Sequence, residues 1–504
     1  MYIGKMYSTA VRCHTGNNMN ISNCTFSKCS SVLGAGIAIA FCSVVAIDNI
    51  FVNNSADSGG SLFLSASEIT VTGRNSFIGN TAHVRGGAIS AHNSVLTIKS
   101  TTSFIHNTAI LHFGGAIFSY RNKLYITGTV QFSNNSAGLQ GGALVMDNST
   151  TVLNGNITFD GNSAYISGGG IAVSNSSSLV GNGLYLIGNR AVASELGGGG
   201  ALICGVDSQV LMSTSQLEEN SGLSGGALLI STGCSVTIQG TSIVSKQARR
   251  LGGALYFEPH SSLTLAGENY FLHNRADVAS GAILIYNSSA YLGGDSHFLN
   301  NSCGVQAGAV SFSFSNITIG GSLTVVNNSC TNRGGGMVIT SSTVNFLPSS
   351  DTHYMGNRAD QGGAITSVTA CLMAVAWLRG RIYLKVYNDV LEASFFLNLC
   401  IFSTATYHIN MVQGNQATIA FTSVGLTFFT FFGILVLHTY LLLKHKSFFK
   451  IMVTKFRNLS FCMTWKRNKK TSDSADVSTR YYQLPTVSVI ELSELDSETV
   501  EYAA

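Results

Sequence analysis

A chain of 504 residues with 54 Gly, only 3 Pro and 10% charged residues is not collagen, which needs glycine at every third position and abundant proline. Nor is it a disordered polymer, because 45% of its residues are hydrophobic and their burial drives folding. The formal charge of +4 comes mostly from one short run near the C-terminus, so nucleic-acid binding is not indicated.

Met1 to Gly16 lacks the apolar core of about 7–15 residues that marks a signal peptide. A repeat is already under way by Cys24 to Ile37, although the ends of repeat arrays are normally atypical caps. The chain therefore reads as a fragment or an incomplete gene product.

One motif recurs along the first 366 residues. It runs from a degenerate Gly34-Ala35-Gly36-Ile37 through Gly59-Gly60-Ser61-Leu62, Gly86-Gly87-Ala88-Ile89, Gly114-Gly115-Ala116-Ile117 and eight further copies to Gly362-Gly363-Ala364-Ile365. Its second position advances by 25, 27, 28, 27, 27, 31, 26, 27, 28, 27, 27 and 28 residues. A second motif, an apolar residue followed three later by Asn, precedes each copy in phase: Phe77 and Asn80, Phe104 and Asn107, Phe132 and Asn135, onward to Tyr354 and Asn357. Ile243 with Lys246 and Phe26 with Cys29 deviate. Between them lie alternating stretches such as Ser94 to Lys99, Lys123 to Thr127 and Ser262 to Ala266, the period-2 pattern of half-buried strands.

A period near 27 made of short strands and Gly/Asn turns predicts an all-β chain, a right-handed parallel β-helix solenoid of about thirteen coils spanning 1–366. At strand spacing that is a rod on the order of 60 Å long. Gly-Gly is expected where a Cβ would clash, and Ala-Ile is expected to start a strand alternating inward and outward. The recurrent Asn is expected to take left-handed geometry at a corner and to form an amide ladder, with Phe stacked inside.

The paired Gly-Gly-Ala-Ile and Phe-x-x-Asn motifs resemble the repeats of chlamydial polymorphic membrane proteins and related β-helix surface proteins, over roughly residues 20 to 366. The resemblance implies adhesion or surface display. It departs at the C-terminus, where those proteins end in a β-barrel and this chain has an apolar helix and a basic tail. Val386 to Leu443 resembles instead the last membrane segments of large membrane-anchored sponge β-helix proteins.

Eleven Cys is too few for a dense disulfide framework. Cys303 and Cys330 each stand five residues before the second motif position, so they stack on adjacent coils, as a disulfide or as a ladder of buried thiols. Cys13, Cys24, Cys29 and Cys42 are placed to clip the first coils, with partners left open. Asn-x-Ser/Thr sequons, N-glycosylation acceptors if the repeats face the secretory lumen, occur at Asn20, Asn23, Asn53, Asn134, Asn148, Asn156, Asn175, Asn287, Asn300, Asn316 and Asn327. Asn458 is a further sequon on the expected cytoplasmic side.

Residues 367–416 form a juxtamembrane region with candidate additional spans at Ala393 to Met411 and Ile365 to Leu378. Ala417 to Leu443 is uncharged for 27 residues and predicts a transmembrane helix, since about 20 suffice to span. Nine Lys and Arg follow from Lys444 to Lys470, which by the positive-inside rule puts the tail, 444–504, in the cytoplasm. An extracellular solenoid then requires one crossing or three, and Arg379, Arg381 and Lys385 favour three. The tail turns acidic and carries Tyr481-Tyr482-Gln483-Leu484, which resembles a tyrosine-based sorting signal but fits a plain disordered tail better.

The rival function is a carbohydrate-active enzyme, a polysaccharide lyase or hydrolase, which needs converging carboxylates or a carboxylate with a base. The candidates Glu218 with Glu219, Asp147 with Asp160, Glu258 with His260, and Asp277 share no phase and read as solvated turn residues. His106 and His273 share a register but lie six repeats apart, too far to share an ion, and Arg190, Arg275 and Arg358 read as solvated corner residues. The expectation is a non-enzymatic, membrane-anchored surface protein without catalytic residues, cofactor or metal, contacting an extracellular protein or carbohydrate through the solenoid.

Overall fold

In the computed structural model the described residues run from 2 to 367, except 5, 6, 17, 196 and 245. They form an all-β parallel solenoid. A sheet of fourteen short strands, here the middle sheet, stacks from Val11–His14 to Ile365–Ser367 with every neighbour parallel, which gives about thirteen turns. We number coils from these strands, so that coil 1 begins at Val11, coil 8 at Leu202 and coil 9 at Leu228. Each coil continues into two strands of a broad sheet and then a short strand of a narrow sheet. The candidate span Ile365 to Leu378 is corrected at its start, because Ile365–Ser367 is the last strand of the middle sheet, while its remainder, the candidate span Ala393 to Met411, the 417–443 segment and the tail lie outside the described residues.

Register explains why the period holds near 27. Leu62, Ile89 and Ile117 pair directly, as do Phe51, Phe77 and Phe104, so like residues stack on like. Six rings, Phe26, Phe51, Phe77, Phe104, Phe132 and Phe159, stack with centroids 4.6–4.9 Å apart, which is the strand spacing itself. They are fully buried, as are the aliphatic residues facing them from the middle sheet.

The recurrent Asn is the polar counterpart of this stack. From Asn54 through Asn80, Asn107, Asn135, Asn162 and Asn189 to Asn220, each backbone N–H and each side-chain Nδ2 donates to Oδ1 of the next Asn at 2.9–3.1 Å. Nδ2 also donates to the Phe carbonyl of the preceding coil, as from Asn135 to Phe104 at 2.9 Å. Every buried amide atom is thereby used, which is what makes burying a carboxamide affordable.

One sequence expectation needs correction and another an addition. The left-handed residue at this corner is not the recurrent Asn but the one before it, for example His106, Asn134, Glu219 and Asn300 with φ of 54°, 53°, 52° and 57°. The chain turns there, and the ladder Asn then points inward. The Ala-Ile strand alternates inward and outward as expected, but its outward face is also buried in the middle coils: Ile117, Phe118 and Ser119 are all buried. The outward row of Phe118, Val145, Ala172, Ile203 and Leu229 forms its own apolar cluster, roofed by the turn that carries Phe113. Arg85 lies over the Phe113 and Phe118 rings at 5.9 and 5.2 Å.

The paired glycines fill their expected role. Gly114 has φ +69°, and a Cβ on Gly115 would strike the Gly142 carbonyl and the Ser136 backbone.

Asn135→Ala removes the acceptor used twice by Asn107 and the donors to Phe104 and Asn162, and is expected to cost about 2–4 kcal/mol locally. Asn134→Ala, at the exposed corner, is expected to cost about 1 kcal/mol. Hydrogen-exchange protection in the flanking strands measures both, and equal losses would contradict the ladder's role.

Candidate functional site

The corner joining the middle sheet to the broad sheet carries a second ladder, built on serine. Cys42, Ser67, Ser94, Asn122, Ser149, Ser177 and Ser208 follow one another, each backbone N–H donating to the next side-chain oxygen at 2.6–3.2 Å. Ser261, Ser288, Ser315 and Ser342 repeat the pattern at 3.0–3.2 Å. Sequence reading missed this ladder, although its signal was present as Ser recurring at the coil period.

The residue before each ladder serine turns outward with positive φ and stands on the rim of a shallow trough. One trough runs over the row His260, Asn287, Phe314 and Ser341, floored by Ser261, Ser288 and Ser315 and walled by Ser289, Asn316 and Thr343. The other, at the same corner near the N-terminus, runs over Phe41, Ala66, Asn93 and Arg121, with Glu68 and Lys123 beside it.

Phe41 and Phe314 do not belong at this position on local grounds. They adopt φ of 57° and 52°, a region costing about 1–2 kcal/mol for a residue with a Cβ, where Gly or Asn is the ordinary choice. Both are exposed, at 58% and 48%, so burial does not offset that cost. Each meets a second ring edge-on, His14 at 6.1 Å and Tyr286 at 5.9 Å. An exposed aromatic held in a strained corner above a floor of hydroxyls and amides suits flat, amphipathic ligands.

All eleven sequon asparagines are exposed. Eight of them, Asn23, Asn53, Asn134, Asn148, Asn175, Asn287, Asn300 and Asn327, are left-handed corner residues. The other three, Asn20, Asn156 and Asn316, lie on broad-sheet strands. The corner itself writes much of the sequon: a left-handed Asn, a ladder Asn or Ser, then the Ser or Thr that opens the next strand. Asn287 and Asn316 border the first trough.

Cys303 and Cys330 are joined in a disulfide across the narrow sheet, with Cα atoms 4.7 Å apart. Cys13 is joined to Cys42, and Cys204 to Cys234, at Cα distances of 6.3 Å. The last pair was not anticipated.

Residues 76–92 and 156–174 match the repeat of the Chlamydia polymorphic membrane proteins. Each stretch holds one Phe-x-x-Asn and one Gly-Gly motif, Phe77 to Ile89 and Phe159 to Ile171, so the match falls on the residues that stack. No curated protein and no solved structure matches the chain. The solenoid is thus polymorphic-membrane-protein-like in its repeats.

The acidic candidates are scattered. Asp147 accepts from Asn175 at 2.9 Å at one corner, while Asp160 ends a broad-sheet strand at the other. Asp277 pairs with Arg275 at 3.3 Å, and Glu219 is an exposed corner residue beside Glu218. His106 and His273 are exposed left-handed corner residues, and Arg190, Arg275 and Arg358 are exposed. Among the described residues no three His, Cys, Asp or Glu side chains cluster to hold a metal.

Glu258 corrects the solvated-turn reading. Burial holds its carboxyl above the ordinary carboxylate range, opposed by hydrogen bonds from the Ser231 side chain and the Thr232 backbone. An acid raised in this way penalises the fold where it is ionised: the penalty is full above the folded pKa and absent below the unfolded value of about 4.3. Glu258→Gln is therefore expected to raise the melting temperature at pH 8 and leave it unchanged near pH 4. A gain of equal size at both would contradict the burial argument.

Proposed function

We propose that this chain is a membrane-anchored surface protein that presents its β-solenoid outside the cell for adhesion or recognition. The observation that carries the reading is the pair of exposed, left-handed phenylalanines, Phe41 beside a trough of mixed polar and charged residues and Phe314 beside one lined mostly by Ser and Asn. Support also comes from the match to a repeat of surface proteins and from the apolar 417–443 segment followed by a basic run. A repeated corner offers many similar weak contacts, and several weak contacts engaged together give useful avidity. The ligand class is a carbohydrate or protein surface with flat apolar faces, and the role is contact without catalysis.

The test is binding of the full chain, displayed on cells, to arrays of neutral and acidic oligosaccharides and to immobilised cell-surface proteins. Phe41→Gly and Phe314→Gly keep the corner geometry without adding a sequon, and together they are expected to reduce binding about tenfold or more, as loss of aromatic anchors does. Unchanged binding would sink the trough as the contact site. Cleavage of an arrayed polysaccharide, lost on Glu258→Gln, would favour the enzyme reading.

A further inference from the structure

Two side-chain ladders run along the solenoid, and both are interrupted at the junction between coils 8 and 9, within the stretch of coils 7 to 9 where aliphatic residues replace the stacked phenyl rings. In the asparagine ladder, Asn189 donates to Asn220 at 2.9 Å, but the next position is Lys246, which has no oxygen to offer. The ladder resumes only beyond it, where the Lys246 N–H donates to Asn274 Oδ1 at 3.1 Å. In the serine ladder, Ser177 donates to Ser208 at 3.2 Å. The Ser208 N–H then turns back to the Gly205 carbonyl, and that of Cys234 to the Ser231 carbonyl, each at 3.2 Å. The phenyl stack ends at Phe159, gives way to Leu186, Leu217 and Ile243, and restarts with Phe271 on Phe298 at 4.7 Å.

One covalent bond stands where these contacts fail. Cys204 belongs to coil 8 and Cys234 to coil 9, so their disulfide joins the two coils where both ladders break, alongside the long Ser215 N–H to Thr241 Oγ1 bond at 3.4 Å and the exposed Arg249 guanidinium on the Val192 and Ala193 carbonyls. Backbone pairing of the sheets continues across the junction.

Lys246 adds a cost at the same place. It is 1% exposed, and its Nζ has no hydrogen-bond partner. Burial pushes the amine down to about 6, opposed by the charges of Glu218 and Glu219 on coil 8. Coil 10 contributes Arg275, already paired with Asp277, and the corner residue His273.

We propose that the coil 8–9 junction is a parting line, latched by the Cys204–Cys234 disulfide, at which the solenoid opens as two blocks once that bond is reduced. A dithiol reductant supplies two electrons and two protons, two thiols form on the chain, and the reductant leaves as its own disulfide. Opening brings Lys246 into water, where it takes up a proton. The open fraction then rises about tenfold for each pH unit lost between about pH 9 and pH 6, and levels off below.

The test is hydrogen exchange on the full chain from pH 9 to pH 5, corrected for intrinsic rates, comparing residues 209–224 and 235–251 with residues 95–135. In Cys204→Ser/Cys234→Ser, as in the dithiothreitol-treated parent, protection is expected to fall at the junction alone, with the tenfold slope. Adding Lys246→Met removes the slope. Adding Lys246→Asn, which restores the ladder, brings protection back toward that of residues 95–135. Uniform protection along the solenoid in the double serine variant, or the same slope with Lys246→Met, would overturn the proposal.

Discussion

The fold depends on one spacing. Parallel strands in register lie about 4.8 Å apart, and everything inside the solenoid must repeat at that distance or leave a gap. A phenyl ring stacked on its counterpart meets the requirement, at 4.6–4.9 Å. So does a carboxamide that accepts from the coil before and donates to the coil after. Few side chains combine full burial with complete hydrogen bonding at such a repeat, which is why Phe and Asn recur and why a Lys in the Asn position is costly.

The same constraint shapes the surface. Each corner needs a left-handed residue outside and a small polar residue inside, and the outer one is free to vary once the inner ladder is made. Most corners spend that freedom on Asn, Gly or Asp, which tolerate the geometry. On the serine corner Ala66, Arg121 and His260 are also left-handed and exposed, and what sets Phe41 and Phe314 apart is a large apolar ring left in solvent, which points toward contact.

Much of this was legible in the sequence, because the period was strict. The register of Gly34 to Gly363, the Phe stack and the Asn ladder follow from spacing alone. The corner residue was misplaced by one, since Asn suits both a left-handed turn and a buried ladder, and spacing cannot tell which of two neighbouring residues turns inward. The alternation expected after Gly-Gly-Ala holds, but the burial of its outward face was not legible because the turn carrying Phe113 roofs the outer row of the middle sheet, a tertiary effect with no local signature. Glu258 looked like a turn residue for the same reason. The Ser ladder was overlooked because serine is common throughout the chain, and so a recurring Ser draws less notice than a recurring Phe.

The account's central claim is that the solenoid stands outside the membrane as a contact surface. The most direct test is glycosidase treatment of the full chain, expressed in cells behind a supplied signal sequence, with the modified residues located by mass spectrometry. The account predicts a stepwise loss of mass mapping to exposed corner asparagines such as Asn134, Asn148 and Asn300, with none at Asn458 in the proposed cytoplasmic tail. An unshifted chain whose repeats are protected from protease added outside the cell would contradict it.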